Sequence, residues 1–166
     1  MTLTVEDGSK VASANTYVSD AEYVAYAAAR DKTIGADATA REIEIIKSMD
    51  FIEGHRDRFK GDKSAQTQAL QWPRYNVLID GYYVDSDSIP DELKNAQMEA
   101  AILLNSSELL KTGTVQNIQR EKLDKLEVAY FSGGSYESAR ADTVNVYLDV
   151  LLKSGVGGAN FTVIRA

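Results

Sequence analysis

The chain has 166 residues, 44% of them hydrophobic and 26% charged, with a net charge of −7 and a pI near 4.7. That length suits one domain with a real core. The charge opposes casual adhesion to nucleic acid or an anionic membrane. Cysteine is absent, so disulfides, thiolate zinc sites and cysteine nucleophiles are excluded. No apolar run is long enough for a membrane span. The opening MTLTVEDG lacks the basic and apolar regions of a secretion signal.

Thr2 to Val5 alternates polar and apolar and predicts a short edge strand, with a turn at Asp7-Gly8. Ser19 and Glu22 form a capping box that starts a first helix, with Tyr23, Tyr26, Ala27 and Arg30 on one face. A second helix is predicted from Thr39, with Glu42 as its box partner. Its apolar stripe is Ile45, Ile46, Met49 and Ile52, and it stops near Gly54. Gly54 to Ile89 has little periodicity; a connection this long is either functional or hides a short helix. Pro90 fits the first turn of a third helix reaching about Leu110, with Asp91 and Glu92 at its positive end. That helix carries two stripes: Leu93, Ala96, Ala100, Leu103 and Leu110, and Met98, Ile102 and Leu109. Two stripes bury it on two sides, inside a bundle or against another subunit.

Val115 to Phe131 alternates and predicts a β-hairpin with a charged tip at Lys122, Leu123, Asp124 and Lys125. The SGGS run at 132–135 reads as a flexible joint. A fourth helix is predicted over Glu137 to Lys153, with Val144, Tyr147, Leu148, Leu151 and Leu152 inward. GVGG at 155–158 is a second joint, followed by an apolar, β-prone tail with Phe161, Val163 and Ile164. The fold class is therefore mainly α: a small bundle of about four helices, a projecting β-hairpin and an extended C-terminal tail. Residues 1–154 form the helical domain and 155–166 the tail.

Motifs of chemistry are scarce. His55 is the only histidine, and a Gly-His-Arg-Asp setting makes it a loop residue rather than a catalyst. There is no H-E-x-x-H, G-x-G-x-x-G, Walker A or G-x-S-x-G pattern. The sequence predicts no enzyme, no cofactor and no metal. Asp80, Asp85, Asp87, Asp91 and Glu92 lack the glycine and terminal glutamate of a calcium loop and read as a solvated loop plus helix-start charges. Arg56, Arg58, Lys60 and Lys63 flank Phe59, as in single-strand binders, but Asp57 and Asp62 interrupt them.

Three segments together carry a family resemblance: VEDGSKVASANTYVSDAEYVAYAAARD (5–31), ALQWPRYNVLIDGYYVDSDSIPDELKNAQ (69–97) and LLKSGVGGANFTVIRA (151–166). They resemble a family of tailed-bacteriophage and prophage proteins labelled DnaT-like single-stranded-DNA-binding proteins. The resemblance covers nearly the whole chain; one departure is EKLDKLEVAY (121–130), where the family often has a glycine at the hairpin turn. The order of elements is also similar to phage head–tail connectors, or adaptors. The acidic charge ranks that reading first and a DnaT-like single-stranded-DNA-binding replication accessory second.

The connector resemblance implies a ring, by analogy a dodecamer, docked to the portal protein. It implies a further partner on the tail side, genomic DNA passing through without specific binding, and a place in the virion at the head–tail junction, or in the host cytoplasm during assembly. The third helix would offer ring-forming surface. Phe161, Val163, Ile164 and Arg165 would dock on the portal as an added strand or plug. Trp72, Pro73 and Arg74 are expected to pin the long loop onto the helices: the proline holds Gln71-Trp72 extended, the indole covers apolar area, and Arg74 pairs with a loop carboxylate.

Overall fold

The computed structural model describes residues 2–106, 118–123, 126–131 and 143–153. The fold is small and mainly helical. Helix α1 spans Asp20–Ala28, α2 Ala38–Glu53 and α3 Asp91–Ser106. Two tiny antiparallel pairs lie between α2 and α3: β1 (Asp62–Lys63) with β2 (Arg74–Tyr75), and β3 (Leu78–Ile79) with β4 (Tyr82–Tyr83). A longer hairpin follows, β5 (Ile118–Leu123) with β6 (Leu126–Phe131). Residues 143–148 are helical.

Helix α1 starts as the capping box requires. The Ser19 side chain accepts the Glu22 N–H at 3.2 Å, and Glu22 accepts the Ser19 N–H at 2.7 Å. Arg30 lies beyond the helix end and places its guanidinium 3.5 Å from the centre of the Tyr26 ring. Helix α2 starts earlier than the Thr39 box predicts. Asp37 is its cap and accepts the Ala40 N–H at 2.8 Å, so Thr39 and Glu42 lie inside the helix. A carboxylate at that position satisfies a free N–H without needing a glutamate partner. The Thr2–Val5 strand reduces to one bridge, Val5 with Thr16.

Helix α3 is the axis of the molecule. Leu93, Ala96 and Ala100 face one apolar cluster with Trp72, Phe59 and Leu148. Met98, Ala101 and Ile102 face a second cluster with Tyr23, Tyr26 and Ile45. Both stripes are therefore covered within this chain, by α1 and α2 on one side and by the 59–77 loop and 144–152 on the other. Of the two places expected for a doubly striped helix, the described residues of α3 occupy the one inside the bundle. The predicted continuation to Leu109 and Leu110 lies outside the described residues.

The fourth helix is shorter at its C-terminal end than predicted. After residue 148 the chain turns, and Leu152 bridges antiparallel to Phe59. The Lys60 N–H donates to the Leu151 carbonyl (2.9 Å) and the Lys153 N–H to the Arg58 carbonyl (2.7 Å). These bonds replace helical ones, and Leu151 and Leu152 remain buried. The predicted start near Glu137 lies outside the described residues. The β5–β6 register pairs Ile118 with Phe131 and Leu123 with Leu126, an antiparallel hairpin as the alternation predicts. Asp124 and Lys125 themselves, the two glycine-rich joints and the tail with Phe161, Val163, Ile164 and Arg165 lie outside the described residues.

Polar groups join the layers. The fully buried Gln97 accepts the Tyr17 N–H (3.0 Å) and donates to Thr16 Oγ1 (2.9 Å) and the Ile45 carbonyl (3.2 Å). All its polar atoms are thereby engaged, as burial demands. Tyr23 donates to Glu44 (2.9 Å) and Tyr26 to Glu99 (2.9 Å), linking α1 to α2 and α3. Burial pushes both phenols well above their ordinary value, and the neighbouring carboxylates add to it. Arg41 holds Asp20 with two bonds of 2.6 and 2.9 Å, and Lys94 meets Glu22 at 3.1 Å.

Candidate interaction surface

The long loop between α2 and α3 has a buried base and an exposed tip. At the base, Trp72 is fully buried and meets Phe59 edge-on, with ring centres 6.1 Å apart. The peptide bond to Pro73 is cis. The backbone is held as firmly as the ring. Tyr17 Oη accepts the Trp72 N–H at 3.0 Å and donates to Glu53 Oε1 at 2.9 Å, and Glu53 also accepts the Gln71 N–H at 3.1 Å. Burial raises the Glu53 carboxyl above its ordinary value. Trp72 Nε1 finds no acceptor among the described residues.

Arg74 does not pair with a loop carboxylate. Its guanidinium donates to the carbonyls of Lys60 (2.7 Å), Gly61 (2.7 Å) and Gln71 (3.3 Å) and lies 5.9 Å from the Phe59 ring centre. A planar fork can serve several carbonyls of one turn, and burial lowers its pKa. Arg74 therefore closes the loop onto itself and onto the strand-like run after Phe59.

The tip is the β3–β4 hairpin. Asp80 and Gly81 form its two-residue turn with φ of 50° and 87°, the pair of positive values that a type I′ turn needs. Successive residues of a strand point to opposite faces. Tyr82 is 80% exposed and Tyr83 75%, so both faces of β4 stand in solvent. Leu78 and Tyr75 are also exposed. From Tyr75 to Leu93 the chain has five acidic residues and no lysine or arginine. Asp80, Asp85, Asp87 and Asp91 are exposed. Gly8 lies against this loop: a Cβ there would collide with the Asp87 carbonyl oxygen.

The basic run is divided. Lys60 donates to the carbonyls of Val150 (2.7 Å) and Leu78 (3.4 Å), and Lys63 to that of Gln68 (3.1 Å). Arg56 and Arg58 remain exposed. His55 Nδ1 lies 3.0 Å from the Phe51 carbonyl, with its ring against Phe51. Among the described residues no three His, Asp or Glu side chains gather as a metal ion would require. No helix among them is long and apolar enough to cross a membrane.

The motifs at the N-terminus, in this loop and at the C-terminus find a counterpart along the entire chain. Residues 1–166 match the sequence model of the family described as "Putative DnaT-like ssDNA binding protein". The chain belongs to this family. No curated protein and no solved structure matches it. The tip displays Tyr82 and Tyr83. Sequence reasoning passed over them. The signal was present: an Asp-Gly pair between two short apolar runs.

Proposed function

We propose that the chain is a non-catalytic assembly protein of a tailed bacteriophage, a head–tail connector that joins the portal of the filled head to the tail. One observation carries this reading: among the described residues, the most exposed aromatic side chains sit in a stretch with five acidic residues and no basic one. Exposed tyrosines with a polar rim suit a protein interface. A phosphate chain laid on them would meet Asp80, Asp85 and Asp87 at close range. On this reading the protein resides in the virion at the head–tail junction, and its partners are other copies of itself, the portal and a tail-side protein.

The second reading is single-stranded-DNA binding, and the family's description favours it. The exposed tyrosines are stacking platforms of the kind that such proteins use, with Arg56 and Arg58 as the available cations. No comparison speaks for the connector.

Fluorescence anisotropy with a labelled single-stranded oligonucleotide separates the two. The connector reading expects no micromolar binding at physiological salt, and it expects the protein at the neck of particles viewed by electron microscopy. Tight binding that weakens steeply with salt, with no protein at the neck, would replace it by the second reading.

A further inference from the structure

The tip hairpin displays two tyrosines, and the molecule carries a surface suited to meet them. Ile79 and Val84 pack against the core cluster, whereas Tyr82 and Tyr83 stand in solvent. Tyr82 and Tyr83 present their rings on opposite faces, beside Asp80, Asp85 and Asp87. The complementary surface is where the chain turns after α2 and meets the end of the 143–148 helix. Arg56, Arg58 and Lys153 are exposed there, and the backbone bond from Lys153 to Arg58 holds the two segments together. Asp57, between the arginines, and Asp149, at the end of the helix, are the exposed acids beside them. No side-chain bond joins Arg56, Arg58 or Lys153 to the hairpin acids among the described residues.

Resting on the assembly reading above, we infer that the Leu78–Tyr83 hairpin and its acidic flank dock on the Arg56–Arg58–Lys153 strip of a second copy of this chain. The argument is charge complementarity. Copies with a net charge of −7 repel one another on average, so association needs local attraction between unlike patches. Guanidinium groups suit both parts of the hairpin: they pair with carboxylates by two bonds and stack on tyrosine faces. The contact joins two different surfaces, which a head-to-tail ring requires.

A cysteine-free chain makes the test clean. Ser86→Cys, in the acidic flank, and Asp57→Cys, between the two arginines, leave every proposed contact residue in place. An oxidised mixture of the two variants at high protein concentration should give disulfide-linked dimers roughly tenfold above a control mixture of Ser86→Cys with Ala21→Cys on α1. Added salt should lower the yield. Arg56→Glu with Arg58→Glu in the Asp57→Cys chain should bring it to the control level. Asp85→Arg with Asp87→Arg in the Ser86→Cys chain should restore it when the two reversed chains are mixed. That restoration cannot come from misfolded variants. A yield equal to the control, or one indifferent to both reversals, overturns the contact. Such a result, with the protein still found at the particle neck, removes only this interface. Salt-sensitive binding to single-stranded DNA and absence from the neck would remove the assembly reading instead.

Discussion

Trp72 and Tyr82 belong to the same loop and the same class of side chain, yet one is fully buried and the other 80% exposed. The difference lies in what surrounds them. Around Trp72 the loop gives up backbone N–H groups to Tyr17 and Glu53 and carbonyls to Arg74. Distant segments of the chain contribute walls: Tyr17, Phe59, Leu93 and Leu148 share its cluster. Around Tyr82 there are a tight turn and a partner strand of two residues. A loop of this length can therefore be rigid at one end and merely displayed at the other. Stability and recognition are assigned to different aromatics, so they can be altered separately.

The sharpest break of that separation is Trp72→Ala. It should lower stability by about 3–5 kcal/mol, the loss for a large buried aromatic, as read from urea denaturation followed by circular dichroism. A loss near that of a surface residue would mean that the base is no anchor. Tyr17→Phe comes next. It keeps the ring but leaves the Trp72 N–H without its acceptor and Glu53 with the Gln71 N–H and without the hydroxyl, at a cost of about 1–3 kcal/mol. An unchanged midpoint in the same denaturation would show that the hydroxyl bridge carries nothing.

Glu53 sharpens the comparison through pH. Burial holds its folded carboxyl above the ordinary 4.5. A raised carboxyl contributes stability that is complete below the ordinary value and is lost as pH rises through the folded value. Glu53→Gln removes this titration. The stability difference between the native chain and Glu53→Gln should therefore move in favour of the native chain as pH falls from neutral toward 4.5. Asp20, which hydrogen bonding to Arg41 holds below its ordinary 3.8, acts with the opposite sign and at lower pH. A flat difference across the window would assign Glu53 an ordinary pKa. The smallest effect belongs to the tip: Tyr82→Ala and Tyr83→Ala should each shift stability by no more than about 0.5 kcal/mol. A larger loss in the isolated protein would show that the hairpin supports the core.

Much of the helical frame was legible because it is local. The Ser19–Glu22 box, the Ile45–Met49–Ile52 stripe and Pro90 ahead of α3 are short-range signals, and so is the alternation of 118–131. The double stripe of α3 was legible as burial on two sides but not as to what covers it. That depends on Trp72 and Leu148, brought there by a loop without periodicity. The cap of α2 moved to Asp37 because two residues with capping side chains stand two apart, and only the backbone decides between them. Arg74 was misread because charge suggests a carboxylate, whereas a turn's converging carbonyls are invisible in sequence. The Tyr17–Glu53 and Gln97 links join residues up to 81 apart and leave no local trace. The tip hairpin shows in the sequence only as its Asp80-Gly81 pair, since its strands are two residues long.

The single tryptophan makes the loop base self-reporting. Its indole meets Phe59 edge-on in a buried cluster that also includes Tyr17, Leu93 and Leu148. Its fluorescence is therefore that of a shielded chromophore, and the nearby tyrosines feed it by energy transfer. Any partner that reaches only the displayed tyrosines will change their own light and leave the tryptophan's colour alone. A red shift of that emission would instead register the loosening of four chain segments at once.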